Sequence, residues 1–142
     1  MLILRAKNSL QVTTGNKTSF FPAIRPLYFA PDVARSGADW LARLQQSDGA
    51  LPAWVGCLAE QRWPTDIVAQ AIRIWAIIDR EAYAPCIDRA LLRLASLQCP
   101  ASGGVAYSPD HPHENTWVGV FGLQAASWAR GVPHEEMVQW LL

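Results

Sequence analysis

From residue 31 onward, apolar positions recur near every 3.6 residues, the spacing of one helical face. The first such stretch is "PDVARSGADWLARLQQ", which places Val33, Trp40, Leu41 and Leu44 on a common face. Pro31 suits a first helical turn. Gly37 divides the stretch into two short helices, the second capped by Ser36 or Gly37. Ser47, Asp48 and Gly49 end it, with glycine free to take the left-handed conformation, and Pro52 prevents an early restart.

The next pattern is the strongest. In "WPTDIVAQAIRIWAIIDR", Ile67, Ala71, Ile74, Trp75 and Ile78 fall at i, i+4, i+7, i+8 and i+11. Thr65 is placed to cap the helix, and Asp66 sits where the helix dipole favours a negative charge. Arg73 is the only cation inside this helix before Arg80. The helix is apolar most of the way round, which predicts burial on more than one side. "APCIDRALLRLASLQ" predicts a third helix from Pro85 to Gln98, with Ile87, Leu91, Leu94 and Leu97 on its face. "CPASGGVAYSPDHPHE" has the Pro, Gly and Ser content of a loop. Asn115 or Thr116 then caps a fourth helix, "TWVGVFGLQAASWARG", which ends at Gly131 and carries Val118, Phe121, Ala125 and Trp128 on one face. Gly119 and Gly122 predict a close helix contact there. Pro133 opens a last helix, with Glu135 and Glu136 in its first turn.

Residues 1–30 lack this period. Their Thr-Thr-Gly-Asn turn signal, Pro22 and Pro26 suit an irregular arm ahead of a helical domain at 31–142. The 142-residue chain is long enough for one domain with its own core. Twelve basic and twelve acidic residues cancel and are scattered, so no basic stripe points to nucleic acid. The sequence has no apolar run long enough to span a membrane. Cys57, Cys86 and Cys99 are odd in number and without CxxC spacing, so reduced thiols in a cytoplasmic protein are expected. Seven tryptophans suit either a core with wide gaps between helices or an aromatic-lined cavity.

The chain also echoes itself. "LARLQQSDGALPAW" aligns with "LASLQCPASGGVAY", so that Leu41, Leu44 and Gln45 fall 53 positions before Leu94, Leu97 and Gln98. Trp75-Ala76 and Trp128-Ala129 keep the same offset. The unit is helix, glycine turn, loop, helix, at a period within the range of helical arrays. "ADWLARLQQSDGALPAW" resembles the repeat of α/α-toroid proteins. These include the terpene cyclases and prenyltransferases, with their Gln-Gly-Trp ("QW") repeats, and the six-hairpin glycosidase-like enzymes. The likeness covers about residues 36–130 in two copies. It departs from the QW pattern at Leu51 and Ala106, which stand where tryptophan is usual. The Asp-rich acid motif and the zinc-binding Cys/His/Asp pattern of the terpenoid branch are absent from the sequence. "TDIVAQAIRIW" and "ENTWVGVFGLQAASW" are more similar to inner helices of the sugar-active class.

The resemblance implies an all-α fold of stacked antiparallel helical hairpins, a partial α/α-toroid whose inner helices line a cavity. Two and a half hairpins do not close a six-hairpin ring. The chain is then a fragment, a degenerate relative, or a unit completed by a second copy; we expect a homo-oligomer (a dimer) or a partner protein. The function expected first is a non-catalytic or degenerate toroid module for binding or assembly. The alternatives are a carbohydrate-active enzyme and an isoprenoid-binding relative. No cofactor is expected.

Candidate chemistry lies where the inner helices begin. Asp66 and Glu114 could serve as acid and base on a glycosidic bond, with His113 beside them. Trp54, Trp63, Tyr107 and Trp117 flank the same loops as aromatic platforms, with His111 and Asn115 as polar contacts. Each has a plainer role to set against this: Asp66 as a helix-dipole carboxylate, Asn115 as a cap, the tryptophans as core. His111 and His113, with Asp110 or Glu114, could hold a metal, but a His-Pro-His loop does not fix ligand geometry, so no metal is assigned.

Overall fold

The computed structural model describes residues 31–57, 62–133 and 136–137. Among these the chain forms four helices: α1 (Pro31–Leu44), α2 (Thr65–Asp79), α3 (Ala84–Ser96) and α4 (Thr116–Ala129). Two short strands, β1 (Ala106–Ser108) and β2 (His111–Glu114), complete the elements. The arm at 1–30 lies outside the described residues, as does most of the helix expected from Pro133.

The apolar circumference of α2 makes it the central helix. It buries Thr65, Val68, Ala69, Ala71, Ile72, Arg73, Trp75 and Ala76 and packs against α1, α3 and α4. Its direction relative to each neighbour follows from paired residues. Arg35 near the start of α1 meets Asp79 at the end of α2 at 3.1 Å, so α1 and α2 are antiparallel. Arg73 of α2 lies over Phe121 and Trp128 of α4, and Ala76 packs with Trp128, so α2 and α4 run the same way. α1 and α3 meet through Asp39–Tyr83, Gln45–Arg89 and Asp48–Arg93, and they too run the same way.

α1 is one unbroken helix through Gly37, not two. Its buried residue is Ala38, whose small side chain lets the helix sit close enough for Trp75 Nε1 to donate to Ala38 O at 3.1 Å. Leu41 and Leu44 pack on the core as expected, whereas Val33 and Trp40 are exposed. The expected α1 face is therefore rotated: Ala38 and Ala42 join Leu41 and Leu44 on the core, and Val33 and Trp40 turn outward. Thr65 does not cap α2. Pro64 takes the N-cap position, with φ −73 and ψ 142, which puts Thr65 inside the helix with Oγ1 buried and without a partner among the described residues. Asn115 caps α4 as expected: its Oδ1 accepts from the backbone N–H of Trp117 at 2.9 Å and of Val118 at 3.4 Å. Gly119 and Gly122 meet no atom within 4 Å of an added Cβ, so the predicted close helix contact is not made among the described residues.

The two Leu-Gln turns close alike. Gln46 N donates to Ala50 O at 2.9 Å and Gly49 N to Gln46 O at 3.0 Å. Fifty-three positions on, Cys99 N donates to Gly104 O and Gly103 N to Cys99 O, both at 2.8 Å. Gly49 and Gly103 hold φ of 85 and 77, a conformation that favours glycine. The second turn is one residue longer. Beyond it the segment expected to be a loop forms an antiparallel β-ribbon, with Ala106 opposite Glu114 and Ser108 opposite His111. Ser108 Oγ accepts from His111 N at 3.1 Å and so closes the Pro109-Asp110 turn. β1 packs on α2.

Candidate functional site

Because α2 and α4 run the same way, their N-terminal turns lie at one end of the molecule. Asp66 stands in the first turn of α2, and the stretch from His113 to Trp117 crosses from β2 into α4. Each predicted residue has a definite setting there. Asp66 Oδ1 is enclosed and without a partner among the described residues. The Glu114 carboxylate accepts from Ser102 Oγ, which in turn accepts from Gly104 N at 3.1 Å. That carboxylate also lies against Gly104, where a β-carbon would collide with it. Glu114 thus fastens the β-ribbon to the turn before it. The same Ser102 hydroxyl, followed by the backbone N–H groups of Ser102 and Ala101, pulls the Cys99 thiol below its ordinary pKa.

His113 is exposed on β2. His111 is exposed as well, with Nδ1 3.2 Å from Ser108 Oγ and its ring edge-on to Tyr107. Among the described residues no group of three His, Cys, Asp or Glu side chains is placed to hold a metal ion. Asn115 is occupied as the cap of α4. Trp54 is exposed, Trp63 and Tyr107 are half-buried, and Trp117 is 66% exposed. Cys57, Cys86 and Cys99 are free thiols.

A second constellation runs from the first turn of α4 to about three turns along it, between α2 and α4. Trp117 stacks on Phe121 with ring centroids 5.7 Å apart. The Arg73 guanidinium lies over the Phe121 ring at 5.2 Å and over the Trp128 ring at 4.7 Å. Trp117, Phe121, Arg73 and Trp128 therefore form one column that is buried at Trp128 and open to solvent at Trp117. Arg73 itself is only 7% exposed. Its Nη1 donates to Gln70 Oε1 at 2.6 Å, and its Nε has no partner among the described residues. Trp128 Nε1 and Gln124 Oε1 are also buried and unpartnered there. Burial pulls the guanidinium below its ordinary pKa, yet arginine stays charged at any working pH. Burying an ion costs several kcal/mol, and a desolvated cation–π contact returns only about 2 kcal/mol. The rings offset part of that cost.

Beside this column lies an uncovered apolar face. Ile67, Gln70 and Ile74 follow one another at i, i+3 and i+7 on α2; Val120, Leu123 and Ser127 do the same on α4, 53 positions later. Ile74, Val120 and Leu123 are exposed, Leu123 to 70%. The sequence marked Arg73 as a lone cation in an apolar helix but gave no sign of its partners, because the aromatic rings that bracket it lie about 50 residues away.

Comparison with protein-family models, with curated proteins and with solved structures found no match.

Proposed function

We propose that the chain is a non-catalytic module of the α/α-toroid type that uses the exposed face of α2 and α4 to bind an apolar or amphipathic small molecule. One observation carries this reading: Ile74, Val120 and Leu123, with Trp117 at the rim, stay uncovered although α4 is apolar but for Thr116, Gln124 and Ser127. A helix of that kind normally has neighbours on every side. The shared direction of α2 and α4, the like directions of α1 and α3, and the two similarly closed turns at Gly49 and Gly103 support a repeated helical array. In such an array this face is the inner one, the face that lines the cavity of a toroid. Glu114, tied to Ser102, serves the loop better than it would serve proton transfer.

The test is a neutral apolar dye. Nile red fluorescence should rise on binding to the wild-type protein and lose most of that rise in Leu123→Glu. An equal rise in both proteins would count against the face as the site. A second reading, a sugar ligand, draws on the exposed rings of Trp54 and Trp117. Saturation-transfer NMR with oligosaccharides tests it. Val33 and Trp40 on α1 offer exposed apolar surface away from the α2–α4 seam, which suits assembly into a dimer. Light scattering at micromolar concentration should find two copies, and a clean monomer would refute that part.

A further inference from the structure

We infer that the α2–α4 seam takes a small monocarboxylate with an apolar body, its carboxylate held by Arg73 and its body laid along Phe121, Trp117 and Val120. The inference rests on the binding face proposed above and names the chemistry of its occupant.

Arginine carries five N–H donors in a planar fork. One of them is used on Gln70 Oε1, and the other four have no acceptor among the described residues. No carboxylate is paired with Arg73 there either. Among the described residues the guanidinium is therefore a buried cation partnered by one neutral amide and two aromatic rings. The rings take the cation's charge but offer no acceptor in the plane of its N–H groups, and a carboxylate matches a guanidinium edge with two parallel hydrogen bonds. The low-polarity setting strengthens such a pair relative to water.

The charge count selects the ligand class. Gln70, Ile74 and Val120 carry no charge, and Asp66, a carboxylate two turns before Arg73 on the same side of α2, forms no ion pair with it, so the guanidinium can answer one negative charge. That suits a monocarboxylate; a diphosphate would bring more charge than the seam can answer. The aromatic column leads from Arg73 through Phe121 to the exposed Trp117 ring, which gives the body of such a ligand an apolar track toward solvent.

Calorimetry with hexanoate and with 1-hexanol, equal in length and different in charge, tests this directly. Wild-type protein should bind hexanoate at least tenfold more tightly than 1-hexanol, and the preference should vanish as pH falls and hexanoate is protonated. Arg73→Met should weaken hexanoate at least tenfold and leave 1-hexanol unchanged, with Arg73→Lys in between. Equal affinity of the wild type for the two probes would overturn the inference, whether or not the Met variant folds. So would undiminished hexanoate binding by a folded Arg73→Met protein. Either result with Nile red binding intact would leave the apolar face standing and remove only the anion site. If neither probe nor Nile red binds, both proposals fall.

Discussion

Replacing Gly49 by alanine perturbs the first turn in two separable ways. The residue holds φ of +85, and forcing an L side chain into the left-handed region costs about 1–2 kcal/mol. Its surroundings add a second cost. An added Cβ would overlap the Arg89 carbonyl group, with the carbonyl carbon 2.7 Å away and Arg93 Cβ at 3.1 Å. The obstacle is the backbone of α3, which cannot rotate away as a side-chain tip can. Overpacking of this kind costs about 1–3 kcal/mol, so the sum is about 2–5 kcal/mol. For a chain of this length, each kcal/mol moves the melting temperature by about 3–4 °C, giving a fall of roughly 6–20 °C. Gly56 supplies the control. Its φ of +79 is nearly the same, but nothing lies within 4 Å of an added Cβ. Gly56→Ala should show the backbone strain alone, about 1–2 kcal/mol. Urea denaturation of both variants gives the difference. If Gly49→Ala loses no more than Gly56→Ala, the turn does not sit against α3 as described.

Three further outcomes follow from the packing. Asn115→Ala should cost about 1 kcal/mol in urea unfolding by removing the α4 cap, and Asn115→Asp should restore most of it. Trp75→Phe should lose about 1 kcal/mol more than Trp128→Phe, since Trp75 Nε1 donates to Ala38 O while Trp128 Nε1 is buried without a partner among the described residues. Asp79 is held below its ordinary pKa of 3.8, first by the Ala82 N–H and then by Arg35. A carboxyl depressed in the folded state stabilises above its unfolded pKa and loses that contribution as pH falls through the folded one. Asp79→Asn should therefore flatten the acid limb of stability below about pH 4, measured as urea midpoints across a pH series.

The helices were legible because each repeats its apolar residues at helical spacing over a dozen or more positions. Ile67 to Ile78 and Val118 to Trp128 leave little else to propose. The Gly49 turn and the Asn115 cap were legible because they depend on local chemistry: a positive φ, and a side-chain oxygen two or three residues ahead of free N–H groups. What was not legible depends on neighbours distant in sequence. Ala38 rather than Trp40 faces α2 because close approach is set by the size of both partners. Pro64 displaced Thr65 from the cap by starting the helix one residue early, and the apolar period does not separate two starts one residue apart. The β-ribbon at 106–114 is too short for its alternation to stand out from a Pro- and Gly-rich segment. Of the proposed site residues, Trp117 joins the aromatic column, and Glu114 and Asn115 are engaged in local structure. Arg73, Phe121 and Trp128 come together only through the packing of α2 on α4.

The central claim, a carboxylate-binding seam built on Arg73, is tested most directly by titrating 15N-labelled protein with hexanoate and following side-chain N–H resonances. The Nε–H signal of Arg73, identified by its absence in Arg73→Lys, should shift saturably together with the indole N–H signals of Trp117 and Trp128. Those of Trp54 and Trp75 should stay in place. Shifts that spare Arg73, or that spread evenly over all the tryptophans, would contradict the claim.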